Sequence, residues 1–491
     1  MKKLYINLSL LIIVSLASCK KAVDVKPIST ITSASFWKTE NDATGALKGM
    51  YVELRGPAAL DLFLLGEARS ETMSAAAGGT MNLDVYYLNA LNIINAGPSW
   101  IGLYKTINAA NLFLKYVPDL VFVSEANKNS FLAQAYTMRA YVYFVLARSW
   151  GGVPIRTTST EGYDPATIQL PRSTVAEVFT LIKDDLEKAL ALYPNNTFET
   201  GRNKWSKPAA NALKAEVYLW TGKQLNGGAA DFTKALSAIS DIQTADIQLL
   251  SNYNDVFSYT NKGNKEVLMA SRFQLLEGAN NYFQNMYIGG TLSNISQEAK
   301  DIIGTPGVGN AGNSIMQLST IVRDQFSTDD QRRNATFYEI RDLTTNNMFA
   351  SITTSKGRGV LDAGTRFFRS DVILYRYADV LLMKAEAKNA LGQDPTPEIN
   401  LVRQRAYQSK FSNYTYVNGT KAQNDDAILK ERLLELATEG KRWWDLVRFG
   451  KVFDLVPSLQ SKKGQDYLLL FPIGNSLISL EPLVTENPGW K

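Results

Sequence analysis

Glu431, Glu435 and Glu439 recur at every fourth residue. On a helix that spacing lines carboxylates along one face, and two such groups can serve as general acid and base. The enzyme class they would suit is a carboxylate-pair glycosidase. Arg432, Lys441, Arg442 and Arg448 interleave with them, however, and Leu433, Leu434 and Leu436 form an apolar side. A salt-bridged structural helix is the better reading. Asp324, Asp329 and Asp330 are calcium-ligand types, but the central Gly and terminal Glu of an EF-hand are absent. Arg323, Arg332 and Arg333 make an ion-pair cluster the expectation. Gly307-Val308-Gly309-Asn310-Ala311-Gly312 matches G-x-G-x-x-G, which holds a dinucleotide only between a strand and a helix. The residues before it include Gln297, Glu298, Lys300 and Asp301 and are not strand-like. A surface loop is expected there, with no cofactor.

The 491 residues contain no histidine, which removes the commonest general base and metal ligand. The single cysteine is Cys19, so no disulfide forms within the chain. Met1-Lys2-Lys3, an apolar run from Leu4 to Leu16, and Ala17-Ser18 precede it. That run is shorter than the roughly 20 residues a membrane span needs. It resembles a bacterial lipoprotein signal over 1–18, with Cys19 as the lipidated N-terminus and 19–35 as a polar linker. The net charge of +5 falls to +3 without Lys2 and Lys3, too weak to argue for nucleic acid or anionic lipid as the main partner.

Aromatic residues are plentiful: 23 Tyr, 21 Phe and 8 Trp. Flat rings can stack on apolar sugar faces while hydroxyls and amides bond at the edges. Tyr282, Phe283 and Tyr287, interleaved with Asn280, Asn281, Gln284 and Asn285, are the leading candidates for ligand contact. Tyr86 and Tyr87 lie in an irregular segment over 74–99, and Trp100 follows it. The helical register of Trp100 with Tyr104 and Ile107 suits core packing as well. As a ligand platform, the 282–287 rings predict that Tyr282→Ala or Tyr287→Ala weakens binding with little change in melting temperature. Trp443 and Trp444 lie among leucines and read as core.

The elements that must position these rings are mainly helical. Periodicity and end signals place helices from Phe36 past Tyr51, from Pro98 to near Pro118, over 124–150, 174–192, 207–222, 229–242, 371–391 and 397–408, and over 425–449. Pairs are expected between 124–150 and 174–192, 207–222 and 229–242, and 371–391 and 397–408, like tetratricopeptide units of irregular spacing. The stretch 252–370 is loop-rich with short β segments such as 266–271. The chain divides into an N-terminal helical region, 36–250, and a C-terminal region, 251–491.

Glu431-Arg-Leu-Leu-Glu-Leu-Ala-Thr-Glu-Gly-Lys-Arg-Trp-Trp-Asp-Leu-Val-Arg448 resembles the hallmark helix of SusD/RagB-type lipoproteins of Bacteroidetes nutrient-uptake systems. Other motifs follow in family order. They are Phe36-Trp37 to Tyr51, Trp100-x-x-x-Tyr104-x-x-Ile107-x-x-Ala110-Asn111, Ala133 to Phe144 with Trp150-Gly-Gly-Val-Pro154, Asp329 to Arg332, Arg376 to Ala387, and Leu470 to Ile473 with Asn487-Pro-Gly489. The resemblance implies a mainly α fold, a scaffold of tetratricopeptide-like helix pairs and a loop-rich ligand-binding part. It implies an outer-membrane lipoprotein facing the cell exterior that captures glycan, or in some members peptide. The captured ligand passes to a TonB-dependent, SusC-like transporter, with no catalysis and no cofactor. Lys20-Lys21-Ala22 departs from the acidic residues that follow the Cys in many surface-exported members.

Overall fold

Ten helices of eight or more residues carry the fold among the described residues: α1 (Glu40–Ala59), α2 (Ile101–Tyr116), α3 (Glu125–Trp150), α4 (Val175–Leu192), α5 (Lys207–Gln224), α6 (Gly228–Ile242), α7 (Tyr377–Ala390), α8 (Thr396–Tyr407), α9 (Lys421–Leu436) and α10 (Arg442–Phe449). The computed structural model describes residues 36–490 apart from 77–78, 80, 163, 279, 289–293 and 304–313. Cys19, the signal, the linker and the Gly307–Gly312 loop lie outside the described residues.

Local chemistry explains the helix starts. Thr39, Thr174 and Thr420 each form a capping box, with Asp42, Glu177 and Gln423 as the reciprocal partners. Ser206 caps α5 through the Ala209 N–H, and Pro208 sits in the first turn where a missing N–H is harmless. Gly222, expected to stop α5, lies inside it. A Cβ there would sit 2.4 Å from the Phe232 ring, so this glycine lets α6 approach closely.

Four antiparallel pairs stack in order: α1 with α2, α3 with α4, α5 with α6, and α7 with α8. The three expected pairs form. The fourth joins helices separated by the irregular 60–100 segment. Tyr377 and Lys384 of α7 bond to Gln243 at the end of α6, joining the last pair to the stack. No helix of the described residues is long and apolar enough to cross a membrane.

Two expected helices are interrupted. Residues 372–376 form a strand that pairs antiparallel with 267–271, and α7 begins at Tyr377. The expected helix over 425–449 breaks at 437–441, where Thr438 and Gly440 take φ of 69° and 74°. The Glu67 carboxylate receives this turn, accepting from the N–H groups of Thr438 and Gly440 at 2.6 Å each. Among the described residues the β structure consists of two-stranded sheets around the loop-rich part and one isolated bridge between Ala76 and Gly79.

Candidate functional site

The carboxylate row is structural, and the turn corrects its geometry. Glu431 and Glu435 lie on α9, but Glu439 lies beyond its end. Arg376 and Arg405 each reach Glu435 at 2.5 Å, and Arg332 reaches it at 3.2 Å and Glu431 at 2.7 Å. Lys356 and Arg376 hold Glu439 at 2.8 Å. Burial alone would raise the Glu435 carboxyl, but Arg405, Arg376 and Arg332 pull it far below the usual carboxylate range. Such a group is a fixed anion and cannot serve as an acid near neutral pH. Arg432 and Arg448, which sequence reading placed in the same row, pair elsewhere, with Asp379, Asp445 and Glu386. In the Asp324–Asp330 cluster, Asp330 pairs with Arg332 at 2.7 Å, whereas Arg323 turns to Glu339 at 3.0 Å.

The expected ring platform points inward. Tyr282, Phe283 and Tyr287 are 4%, 3% and 0% exposed, and Tyr86 and Trp100 are 5% and 1%. Tyr282 stacks on Phe63 at 4.5 Å, and its hydroxyl donates to the Thr438 carbonyl at 2.8 Å. Phe283 packs over Gly357, and Tyr287 lies edge-on to Phe368 at 5.3 Å. The neighbouring amides are used by the loop itself. Asn281 donates to the Ser370 carbonyl and Asn280 accepts from the Phe368 N–H. Tyr87 is half-buried with its hydroxyl covered. These rings form a local core because the loops lack regular backbone pairing and bury apolar area instead.

Open clefts form elsewhere, the larger beside Trp100. An extended segment, 154–160, is held along α2 by side chains at helical spacing. Tyr104 donates to the Pro154 carbonyl at 2.5 Å. Asn111 donates to the Arg156 and Thr158 carbonyls at 3.0 and 3.1 Å. Asn108 accepts from the Thr160 N–H at 2.7 Å. Arg139 fixes Asn111 at 2.8 Å while gripping Asp185 through two bonds. The Trp100–Asn111 motif is thus a rail for this segment.

The rail, residues 168–169 and residues 480–481 enclose a cleft of about 530 Å³. Arg156 ties two of its edges, donating to the Ile168 carbonyl and to Glu481 at 2.7 Å. Lys105, Gln169, Thr158 and Glu53 line it beside apolar Ile101 and Leu480, which are 44% and 64% exposed. Trp100 and Tyr104 contribute to the lining, and burial holds the Tyr104 phenol in its neutral form. Amides, hydroxyls and charges beside apolar patches suit a polyhydroxylated ligand. A second cleft, of about 460 Å³, lies between α1, residues 203–204 and residues 271–277.

Solved structures share this architecture. A SusD superfamily protein from Bacteroides vulgatus is 31% identical, with a TM-score of 0.82 over 93% of this chain and 100% of that one. The chain belongs to the SusD/RagB family. NanU of B. fragilis is similar at 32% identity and a TM-score of 0.83, over 95% and 100% of the two chains. SusD-like protein P38 of Formosa agariphila is 29% identical over 92% of each chain. Residues 362–468 match the family described as SusD family, and residues 33–219 match one described as starch-binding associating with outer membrane. A laminarin-binding SusD-like protein, at 23% identity and a TM-score of 0.74, shares the fold. In this SusD/RagB chain the motif residues that reveal the family mostly build the frame: the α2 rail and the α9–α10 ion-pair core. The cleft-lining Lys105, Gln169 and Leu480 were not singled out from sequence. The polar Asn108 and Asn111 on an otherwise apolar helix face were the available signal.

Proposed function

We propose that this protein is a non-catalytic glycan receptor of the outer membrane, anchored through lipidated Cys19, and that it delivers its ligand to a TonB-dependent, SusC-like transporter. The observation that carries this is the full-length likeness to SusD superfamily proteins, joined to a starch-binding family match over the N-terminal 33–219. The cleft beside α2 is the ligand site in this reading. Lys105, Gln169 and Thr158 bond to sugar hydroxyls, and Ile101 and Leu480 cover apolar sugar faces. Glu481 is engaged by Arg156, Glu431 is paired with Arg332 and Arg403, and Glu435 is held as a fixed anion, so none of these is free for glycosidic hydrolysis.

Electrophoresis through gels containing individual polysaccharides tests the proposal, with a reducing-end assay on the same mixtures. Retardation by at least one glycan without new reducing ends is expected. Release of reducing ends would replace the receptor with an enzyme. Free migration through every glycan would leave a helix-repeat scaffold.

A further inference from the structure

The second cleft is lined by cations. Lys48, Arg55, Lys204 and Arg272 reach it, with Tyr51 and Glu277. Arg272 is committed to Asp371 at 2.9 Å and the Gly201 carbonyl at 2.7 Å. Lys204 pairs with Glu199 at 2.5 Å. Lys48 is exposed and has no carboxylate partner among the described residues. Arg55 holds Glu277 at 3.0 Å, with side-chain exposures of 25% and 48%. That pair joins α1 to a turn 222 residues away in sequence. Arg369 steadies the turn by donating to the Gln274 and Gly278 carbonyls. Exposed ion pairs of this kind are weak because water and salt screen them. Glu277 therefore holds a place on Arg55 that another carboxylate can take.

Tyr51 gives the cleft an aromatic wall. Its hydroxyl is turned inward, donating to Gln134 and accepting from the Trp205 N–H, each at 2.8 Å. The ring is thereby fixed, half-buried, in the cleft wall. A fixed ring beside fork-shaped cations suits a sugar that carries a planar carboxylate.

We propose that this cleft binds an acidic saccharide, whose carboxylate displaces Glu277 from Arg55 and whose ring lies against Tyr51. Lys48 adds a second favourable charge. The inference rests on the saccharide-binding reading and gives that reading a substrate class.

Calorimetric titration of the purified protein with tetragalacturonate and with a neutral galacto-tetrasaccharide tests it. The acidic ligand is expected to bind roughly tenfold more tightly in dilute buffer, an advantage that shrinks as salt is added. Arg55→Ala removes the preference. Glu277→Gln strengthens acidic binding a few-fold, by removing the competitor, and leaves neutral binding and the melting temperature unchanged. Equal binding of both saccharides, untouched by either substitution, would overturn the acidic assignment while leaving glycan capture intact. Tetraglutamate binding as tightly as tetragalacturonate would overturn the saccharide part. Failure of both saccharides to bind would overturn the acidic assignment alone, since the receptor reading fails only if every glycan of the wider panel migrates freely.

Discussion

Tyr282 illustrates how a side chain's neighbours decide its role. Its ring stacks on Phe63 and lies tilted against Phe283, with centroids at 4.5 and 4.3 Å, and its hydroxyl is bonded to the Thr438 carbonyl. Tyr282→Ala should cost about 3–5 kcal/mol, read as a clear fall in the unfolding midpoint. Tyr282→Phe should cost about 1–3 kcal/mol, because a buried carbonyl loses its donor. An unchanged midpoint in Tyr282→Ala would restore the ring to the surface. Sequence shows rings beside amides and cannot show which way they face, because a sugar platform and a loop core use the same residues. Glu435 is the converse case. Its structural role was legible from the surrounding arginines, but its partners Arg332, Arg376 and Arg405 come from 30 to 103 residues away. Glu435→Gln should cost about 3–5 kcal/mol in denaturant unfolding, since buried guanidinium groups lose their shared anion. A loss below the scatter of surface substitutions would mean the network is dispensable.

At the scale of elements, the turn between α9 and α10 gives the fold a pH dependence. Burial pushes the Glu67 carboxyl up to about 7, against the backbone N–H groups of Thr438 and Gly440 that favour its anion. The folded chain then holds this proton more tightly than the unfolded chain, whose ordinary value is 4.5. Glu67 therefore makes stability decline as pH rises from about 4.5 to about 7, by up to about 3 kcal/mol. Glu216 and Glu386 act oppositely. Burial would raise them, but Arg148 and Arg448 draw both down to about 2, so their contribution is lost as pH falls from 4.5 toward 2. Urea midpoints across pH 3 to 8 should show both arms, with Glu67→Gln flattening only the upper one. An unaltered upper arm in that variant would assign it to another group. Helix starts were readable because Thr174 and Ser206 bring their capping partners within three residues. The break at 437–441 was not, because Glu67, which receives it, is about 370 residues away.

The whole molecule joins a helix-pair stack to a C-terminal tail. The Phe471 N–H donates to the Ser149 carbonyl, and the Trp150 indole donates to the Pro472 carbonyl. Buried Arg69 completes the joint. It donates to the Leu468 and Leu470 carbonyls between the Trp443 and Phe471 rings, and burial lowers its guanidinium to about 9. This joint places Leu480 and Glu481 at the edge of the cleft beside α2. Cys19→Ala should move the protein from the membrane to the soluble fraction without altering its melting temperature. Retention of the variant in outer membranes would place the tether elsewhere. The receptor account is tested most directly by calorimetric titration of the purified protein with an oligosaccharide panel, comparing it with the Lys105→Ala/Gln169→Ala variant. The account predicts saturable binding of at least one oligosaccharide, recovered intact, weakened by roughly tenfold or more in a variant of unchanged melting temperature. Equal affinity in the two proteins would remove the cleft from the account, and cleavage of the ligand, or no binding across the panel, would contradict the account itself.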